Sequence, residues 1–185
     1  MSHHAKEKIV TAMIELISEQ GFEGLSVRGV ASRASVSIGA VQHHFPTKVR
    51  MLEAAMTAVA SRAAQRFGEL ETIEDPLTRL QALIDLLIPQ DTADPIARVW
   101  LNFAVRSTVD TNLRNTYVKL WASMRNQLRL LLAAAGGHKY TDETALELLA
   151  LLDGLTLSVL AEHQDSDRAR QIANARVEEL LRHDS

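Results

Sequence analysis

The chain contains no cysteine, only four prolines and eight glycines, and few aromatic residues in its length of 185. The lack of cysteine excludes disulfide bonds and thiolate metal ligands. Because proline and glycine are scarce, long stretches are free of helix breakers. These stretches carry apolar residues at helical spacing, so we expect an all-α fold.

A membrane-spanning segment is not expected either. The most apolar run, residues 146–161, is short and contains Glu147 and Asp153. The first residues lead directly into a polar, amphipathic stretch that is unlike a signal peptide. We therefore expect a cytoplasmic protein that does not bind membranes.

The net charge of −3 does not by itself indicate nucleic-acid binding. Its distribution is uneven, because residues 1–50 carry a net charge of +2 and the remaining residues carry −5. A mildly basic N-terminal region on an acidic body favours a DNA-binding domain joined to a separate regulatory domain.

Residues 25–48 predict two short helices joined by a tight polar turn. Ser26 can cap the first helix and Ser37 the second. Val41 and Phe45 lie four residues apart, on the side of the second helix that we expect to be buried. This arrangement describes a helix-turn-helix, whose second helix enters the major groove of DNA. The alternative is an ordinary small helical domain, in which short helices and turns are also common.

Start and stop residues predict the other helices. Aspartate followed by proline occurs at Asp75-Pro76 and again at Asp94-Pro95, a pattern typical of an N-cap and the first helical position. The chain is expected to form about nine helices, at residues 5–19, 27–34, 38–45, 48–67, 76–88, 95–108, 111–135, 142–163 and from 166 onward.

The eighth predicted helix is apolar on nearly every face. Such a helix must be buried on all sides, and a chain of this length can cover only part of it. We therefore expect the eighth and ninth helices to pair with their copies in a homodimeric four-helix bundle. The residues expected at this interface are Leu148, Leu149, Leu152, Thr156, Leu160, Ile172, Val177 and Leu180.

An amphipathic first helix is followed at fixed spacing by Gly21-Phe22, Val27-Arg28, Val30-Ala31, Ala34, Val36-Ser37, Gly39, Phe45 and Lys48. With this pattern, residues 5–56 resemble the N-terminal domain of the TetR family of bacterial transcription regulators. The later segments WLNFAVRSTVDTNLRNTYVKLW and LLALLDGLTLSVL are similar to the BetI-like branch, which includes the choline-responsive repressor of the betaine pathway.

The resemblance implies a homodimeric repressor that binds a palindromic double-stranded DNA operator and is released by a small-molecule effector. It places a helix-turn-helix DNA-binding domain in residues 1–50 and a helical bundle for ligand binding and dimerisation in residues 51–185. The helix at residues 47–67 links the two domains.

The resemblance also implies which residues contact DNA. Gln42 can bond an adenine edge in bidentate fashion, and Ile38 and Ala40 can contact thymine methyl groups. Lys48 starts the fourth helix, where free backbone N–H groups favour a phosphate. Many family members have tyrosine where this chain has Gln42, so the base specificity of a relative does not transfer. The full set is Ser26, Arg28, Ser37, Ile38, Gly39, Ala40, Gln42, His43, His44, Thr47 and Lys48.

A metal site at His43 and His44 is the alternative for this pair. Adjacent residues point about 100° apart on a helix, and no acidic or cysteine partner lies nearby. We expect neither a metal nor a cofactor.

Aromatic residues are concentrated on the sixth and seventh predicted helices. Stripes of this kind are more often ordinary core, but members of the resembled family bind inducers inside this bundle. Tryptophan faces with Asp153 could enclose a cationic ligand. The expected pocket residues are Trp100, Phe103, Ser107, Tyr117, Trp121, Met124 and Asp153, with Asn102, Arg106 and Asn126 as further polar candidates.

The alternatives to a DNA-binding regulator are an enzyme and a protein-binding adaptor. An enzyme is not expected, because the chain offers no nucleophile with a nearby base and no recognisable cofactor loop. A protein-binding adaptor without DNA activity is the remaining alternative, in which the eighth helix docks a different protein.

Overall fold

The computed structural model describes residues 2–137 and 140–183, of which residues 2–4 and 183 are described by their backbone alone. Within these ranges the chain forms α-helices and no strands, which confirms the predicted all-α class. The helices are α1 (Ser2–Gly24), α2 (Val27–Ala34), α3 (Ile38–His44), α4 (Lys48–Leu70), α5 (Pro76–Leu87), α6 (Pro95–Ser107), α7 (Thr111–Gly136), α8 (Asp142–Glu162) and α9 (Ser166–His183).

Most helix starts follow the predicted capping residues. First-turn backbone N–H groups donate hydrogen bonds to the side chains of Ser26, Ser37, Thr47, Asp75, Asp94 and Thr141. These bonds satisfy donors that a helix start leaves without a partner. The helix α9 is capped by a residue that was not predicted, Asp165, whose carboxylate accepts a hydrogen bond from the Arg168 N–H.

Two glycines behave differently from each other. Gly21 interrupts α1 with a φ of 68° and a ψ of −174°, a backbone conformation that is essentially restricted to glycine. Gly68 lies within α4, which continues to Leu70 instead of ending at Phe67 as expected. Glycine in a helix interior costs only about 1 kcal/mol relative to alanine, so one glycine does not end a long helix.

The chain divides into two compact units. Unit 1 contains the residues up to Ala63 together with Ala93–Tyr117, and unit 2 contains Ala64–Thr92 together with the chain from Val118 onward. In unit 1, α1 packs against both α2 and α6. Compactness places α6 with the N-terminal helices. The predicted boundary at residue 50 divides the chain by function and not by compactness, so it stays a prediction.

The core of unit 2 joins α5, α8 and α9 with the later part of α7. By length and composition alone α8 is apolar enough to cross a membrane, a property that it shares with buried core helices and that is weak evidence for a span. About a third of its most apolar stretch is buried within the chain. The buried residues of α8 are Ala145, Leu148, Leu149, Leu152, Thr156 and Val159.

Candidate DNA-binding and effector sites

The exposed face of α3 follows from the two apolar residues that hold this helix in place. Val41 is fully buried, and Phe45, the C-cap residue that follows α3, is nearly fully buried. Ser37 fixes the other end by accepting a hydrogen bond from the Ala40 N–H at 3.1 Å. Ile38, Gly39, Gln42 and His43 are consequently exposed, and Ala40 and His44 are half-buried.

The helix before it, α2, is fixed to α1 by an arginine. The Arg33 guanidinium pairs with the Glu19 carboxylate at 2.7 Å and with Glu15 at 3.3 Å. The hydrogen bond from Arg33 holds the pKa of the Glu19 carboxyl below its ordinary value. Arg28, which was predicted to contact DNA, is exposed on the same helix. The Arg33 pairs join different helices, so no local spacing pattern predicts them.

The three capping hydroxyls predicted to contact DNA already accept backbone hydrogen bonds. The Oγ of Ser26 accepts from the Gly29 N–H, and the Oγ1 of Thr47 accepts from the Arg50 N–H, each at 3.1 Å. A hydroxyl that accepts such a bond keeps its own O–H as a donor. Each cap can therefore order a helix start and donate to a phosphate at the same time.

Lys48 lies at the start of α4, as expected, and its ammonium group has partners within unit 1. The Nζ donates a hydrogen bond to the carbonyl oxygen of Glu23 at 3.0 Å and lies 3.4 Å from the Glu23 carboxylate. It also lies 4.6 Å from the centre of the Phe22 ring. About a third of the Lys48 side chain stays exposed.

Residues of α6 meet the same Phe22. The Phe22 N–H donates to the Oδ1 of Asn102 at 2.9 Å, and the Arg106 guanidinium lies 5.0 Å from the ring centre. Asn102 and Arg106 were predicted to fix a ligand. The structure shows these protein contacts for them, and the ligand role stays a prediction. The Phe22 side chain itself is only half-buried.

Three of the predicted effector-site residues form one aromatic cluster in unit 1. Trp100 stacks on Tyr117 with the ring centres 4.9 Å apart, and Phe103 lies 6.4 Å from each. Phe103 is fully buried, whereas Trp100 and Tyr117 are half-buried. Ser107 is buried and donates its hydroxyl to the Ala104 carbonyl at 2.7 Å, so that hydrogen is already used.

The other predicted effector-site residues lie in unit 2. The Trp121 Nε1–H donates to the Oδ2 of Asp153 at 2.9 Å, which brings together two residues that the sequence singled out. Burial raises the pKa of the Asp153 carboxyl, and the bond from Trp121 opposes this rise. Met124 packs half-buried at the edge of the unit 2 core. That all seven predicted residues line one effector pocket stays a prediction.

Unit 2 also has an open cavity of about 390 Å³ beside the start of α8. The Arg129 guanidinium donates to the Oδ1 of Asn126 at 2.9 Å and lies 3.5 Å from the Asp142 carboxylate. Asn126, expected to fix the ligand, therefore lines this polar cavity, with Ala122, Arg125, Arg129, Tyr140 and Asp142.

Comparisons with known proteins identify the family. Residues 9–55 match the tetR family of bacterial regulatory proteins, and residues 76–182 match the C-terminal domain of BetI-type transcriptional repressors. The chain belongs to the TetR family. Its members are DNA-binding regulators of transcription that respond to ligands, and they are not enzymes.

Individual relatives are similar to this chain over nearly its whole length. The transcriptional regulator BetI of Burkholderia mallei is 29% identical over 182 residues, which cover 95% of this chain and 93% of BetI. A transcriptional regulator from Rhodococcus sp. Rha1 is 32% identical, with a TM-score of 0.84 and 96% of each chain covered. A regulator from Saccharomonospora viridis, crystallised with choline, is 27% identical, with a TM-score of 0.86 and coverage of 95% and 96%.

For this TetR-family regulator the predicted dimer interface needs a correction. Leu148, Leu149, Leu152, Thr156 and Val177 are buried within the protomer itself, so their side chains offer no area to a second copy. A helix that is apolar all round has no periodicity to show which face turns inward. The other three predicted residues keep some exposure, namely Leu160, Ile172 and Leu180.

No group of three or more histidine, aspartate or glutamate side chains that could hold a metal ion occurs in the part of the chain that the structure describes. His43 and His44 have their ring centres 5.2 Å apart and meet edge to face.

Proposed function

We propose that this TetR-family regulator is a cytoplasmic, homodimeric repressor that binds a palindromic operator and is released from it by a small cationic effector. The exposed, capped face of α3 carries the proposal, because Val41 and Phe45 are turned inward and Gln42 and His43 are exposed. Each α3 would occupy the major groove of one half-site, with the half-site centres about 34–36 Å apart.

Base recognition is assigned to the exposed side of α3. Gln42 is exposed and can form the bidentate pair with an adenine edge. Ile38, 46% exposed at the start of the helix, is suited to contact a thymine methyl group. Gly39 allows close approach of the backbone, and His43 and His44 donate to guanine acceptors or phosphates.

Phosphate contacts are assigned to the residues that flank α3. Lys48 and Arg28 supply positive charge, and the hydroxyls of Ser26, Ser37 and Thr47 supply neutral donors. Phosphate contacts set the register of a protein on DNA without reading the base sequence. The domain boundary at residue 50 and the linking helix at 47–67 follow from this division of roles.

A second copy of the chain is assigned to the exposed apolar face of α8 and α9. Leu146 is 50% exposed and Leu157 is 46% exposed, with Ala150 between them on the same side of α8. Exposed Gly154 lies on this side too, and a Cβ there would meet nothing within 4 Å. On α9, Ile172 is 44% exposed. Small residues among larger apolar ones allow two helices to pack closely in a four-helix bundle.

The effector class follows from aromatic faces beside a carboxylate. Trp121 and Asp153 together offer a π-face and a half-buried negative charge, the combination that binds quaternary ammonium groups. A bound cation would favour the charged form of Asp153, whose pKa burial has raised. The choline bound to the regulator from Saccharomonospora viridis supports this class. Binding would shift the dimer toward a state that fits the operator less well.

The test measures binding of the purified protein to duplex DNA from the region upstream of its own gene, by fluorescence anisotropy over a salt series. We expect tight, salt-dependent binding to one palindromic segment, well above a scrambled duplex. Choline should weaken this binding, and the neutral isostere 3,3-dimethyl-1-butanol should not. No binding at low salt by a folded dimer would contradict the DNA contacts, and equal effects of the two compounds would contradict a cationic effector.

A further inference from the structure

The corner near the C-terminal end of α1, formed by Gly21, Phe22 and Glu23, is held by side chains of two helices that are distant in sequence. From α4, the Lys48 ammonium bonds to the Glu23 carbonyl and lies over the Phe22 ring. From α6, Asn102 accepts the Phe22 N–H at 2.9 Å. The segment that holds Lys48 is therefore itself held by α6.

The bond between Phe22 and Asn102 is specific in its geometry. The Nδ2 of Asn102 donates to the Arg98 carbonyl at 2.9 Å, so both ends of the amide are engaged and a flipped amide would lose both bonds. The positive φ of Gly21 breaks the helical ladder and frees the Phe22 N–H for this bond. A Cβ at Gly21 would lie 3.4 Å from the Asn102 Oδ1.

Arg106, one helical turn after Asn102, brings a second cation to the same ring. Its guanidinium lies 5.0 Å from the centre of the Phe22 ring. Its Nε is buried and has no hydrogen-bond partner within the described residues. The contact with the Phe22 ring therefore helps to fix the position of this side chain relative to the corner.

We propose that Asn102 and Arg106 are positioning residues for the phosphate contact of Lys48. The helix α6 sets the place of Phe22 and Glu23, and these two residues set the place of the Lys48 ammonium. The inference rests on the proposed phosphate contact of Lys48. Because α6 also carries Trp100 and Phe103, a ligand beside that aromatic cluster would act on Lys48 through α6 and the corner residues Phe22 and Glu23.

A purely structural role for Asn102 would have a different signature. An amide that only joins α6 to α1 would lower stability when removed, and its effect on DNA affinity would be independent of Lys48. A double-mutant cycle separates the two roles, because residues that act through each other are not additive.

The cycle uses the full-length dimer and its operator duplex, with wild type, Asn102→Ala, Lys48→Ala and the double variant. Asn102→Ala should weaken operator binding roughly 3- to 30-fold in the wild-type background and hardly at all in the Lys48→Ala background. Asn102→Asp keeps an acceptor for the Phe22 N–H and should restore most of the affinity. Arg106→Met, in the same cycle, is the second variant should Asn102→Ala fail to fold.

Arg98→Met is the matched control, because it removes a different α6 bond to α1, from the Arg98 guanidinium to the Ser18 carbonyl at 2.9 Å. Its effect should be independent of Lys48. Independent effects of Asn102→Ala and Lys48→Ala, or coupling of Arg98→Met as strong as that of Asn102→Ala, would overturn the inference and leave the Lys48 contact standing. Unchanged operator affinity of Lys48→Ala would overturn both.

Discussion

Gln42 and Lys48 lie on either side of Phe45, and we expect their side chains to make different kinds of DNA contact. Gln42 is exposed on α3. Lys48 lies at the start of α4, and its ammonium group is held over the ring of Phe22. Gln42→Ala should cost roughly 1–3 kcal/mol at one base pair of the operator. Lys48→Ala should weaken binding to all sequences alike and flatten the salt dependence by about one unit.

The measurement is a set of operator duplexes with single base-pair changes, titrated with each variant over a salt series. Gln42→Ala should lose its preference at one position only. A uniform loss over all duplexes would show that Gln42 contacts the DNA backbone and that α3 lies differently in the groove.

Asp153 should make stability depend on pH. Burial raises the pKa of the Asp153 carboxyl, so the folded state binds the proton of this carboxyl more tightly than the unfolded chain does. Its contribution to stability is therefore complete below the ordinary pKa and is lost as the pH rises through the raised value. Asp153→Asn should unfold at a higher temperature than the wild type at neutral pH, and this advantage should disappear in acid.

Thermal unfolding of both proteins between pH 3 and pH 8 checks this expectation. The same variant should lose its response to choline, because the negative charge is gone. A variant that is destabilised equally at every pH would show that the carboxylate is not strained by burial.

Among the helices, α1 depends on one special residue. Gly21→Ala would place a side chain at a backbone conformation that is essentially limited to glycine, and we expect a loss of about 1–3 kcal/mol in stability. Gly68→Ala is the matched control, because Gly68 is exposed within α4 and a Cβ there meets nothing within 4 Å. It should gain up to about 1 kcal/mol.

Urea unfolding curves of the two variants provide the comparison. The midpoint should fall for Gly21→Ala and rise slightly for Gly68→Ala. Two variants of equal stability would mean that α1 can continue through residue 21 without strain.

Helix positions were predictable because their causes are local. Asp75 and Asp94 cap helices through N–H groups two or three residues away, so the sequence shows both partners side by side. The buried side of α3 was predictable for the same reason, since Val41 and Phe45 lie one turn apart. Contacts between helices are different. Phe22 and Asn102 lie 80 residues apart, and no spacing rule connects them.

The candidate sites show the same limit. The family resemblance suggested tryptophan faces together with Asp153, but only the structure shows that Trp121 is the partner, through a hydrogen bond over 32 residues. On α8 the pattern failed, because leucines occupy almost every face and Leu148 could be assigned equally well to the core or to a partner. Only the packing of α5 and α9 against α8 decides that Leu148 is internal.

At the scale of the whole molecule, the apolar face of α8 should control assembly and, through it, DNA binding. Leu157→Glu would place a charge at the centre of the proposed interface and should convert the dimer to a monomer. Operator affinity should then collapse, because two linked α3 helices bind far more tightly than one. Val105→Glu is the control, since Val105 is 63% exposed on α6, which belongs to the other compact unit.

Sedimentation of both variants at micromolar concentration, followed by operator titration, tests this prediction. The Val105→Glu protein should remain a dimer. A Leu157→Glu protein that still sediments as a dimer would place the interface elsewhere on the chain.

The separation of the two tryptophans has a practical consequence. Trp100 stacks on Tyr117 in unit 1, and Trp121 bonds to Asp153 in unit 2, so each compact unit contains one tryptophan. Replacing either indole by phenylalanine leaves the other as a label-free optical probe of its own unit. The order in which operator and effector perturb the two emission spectra would reveal which half of the protein responds first.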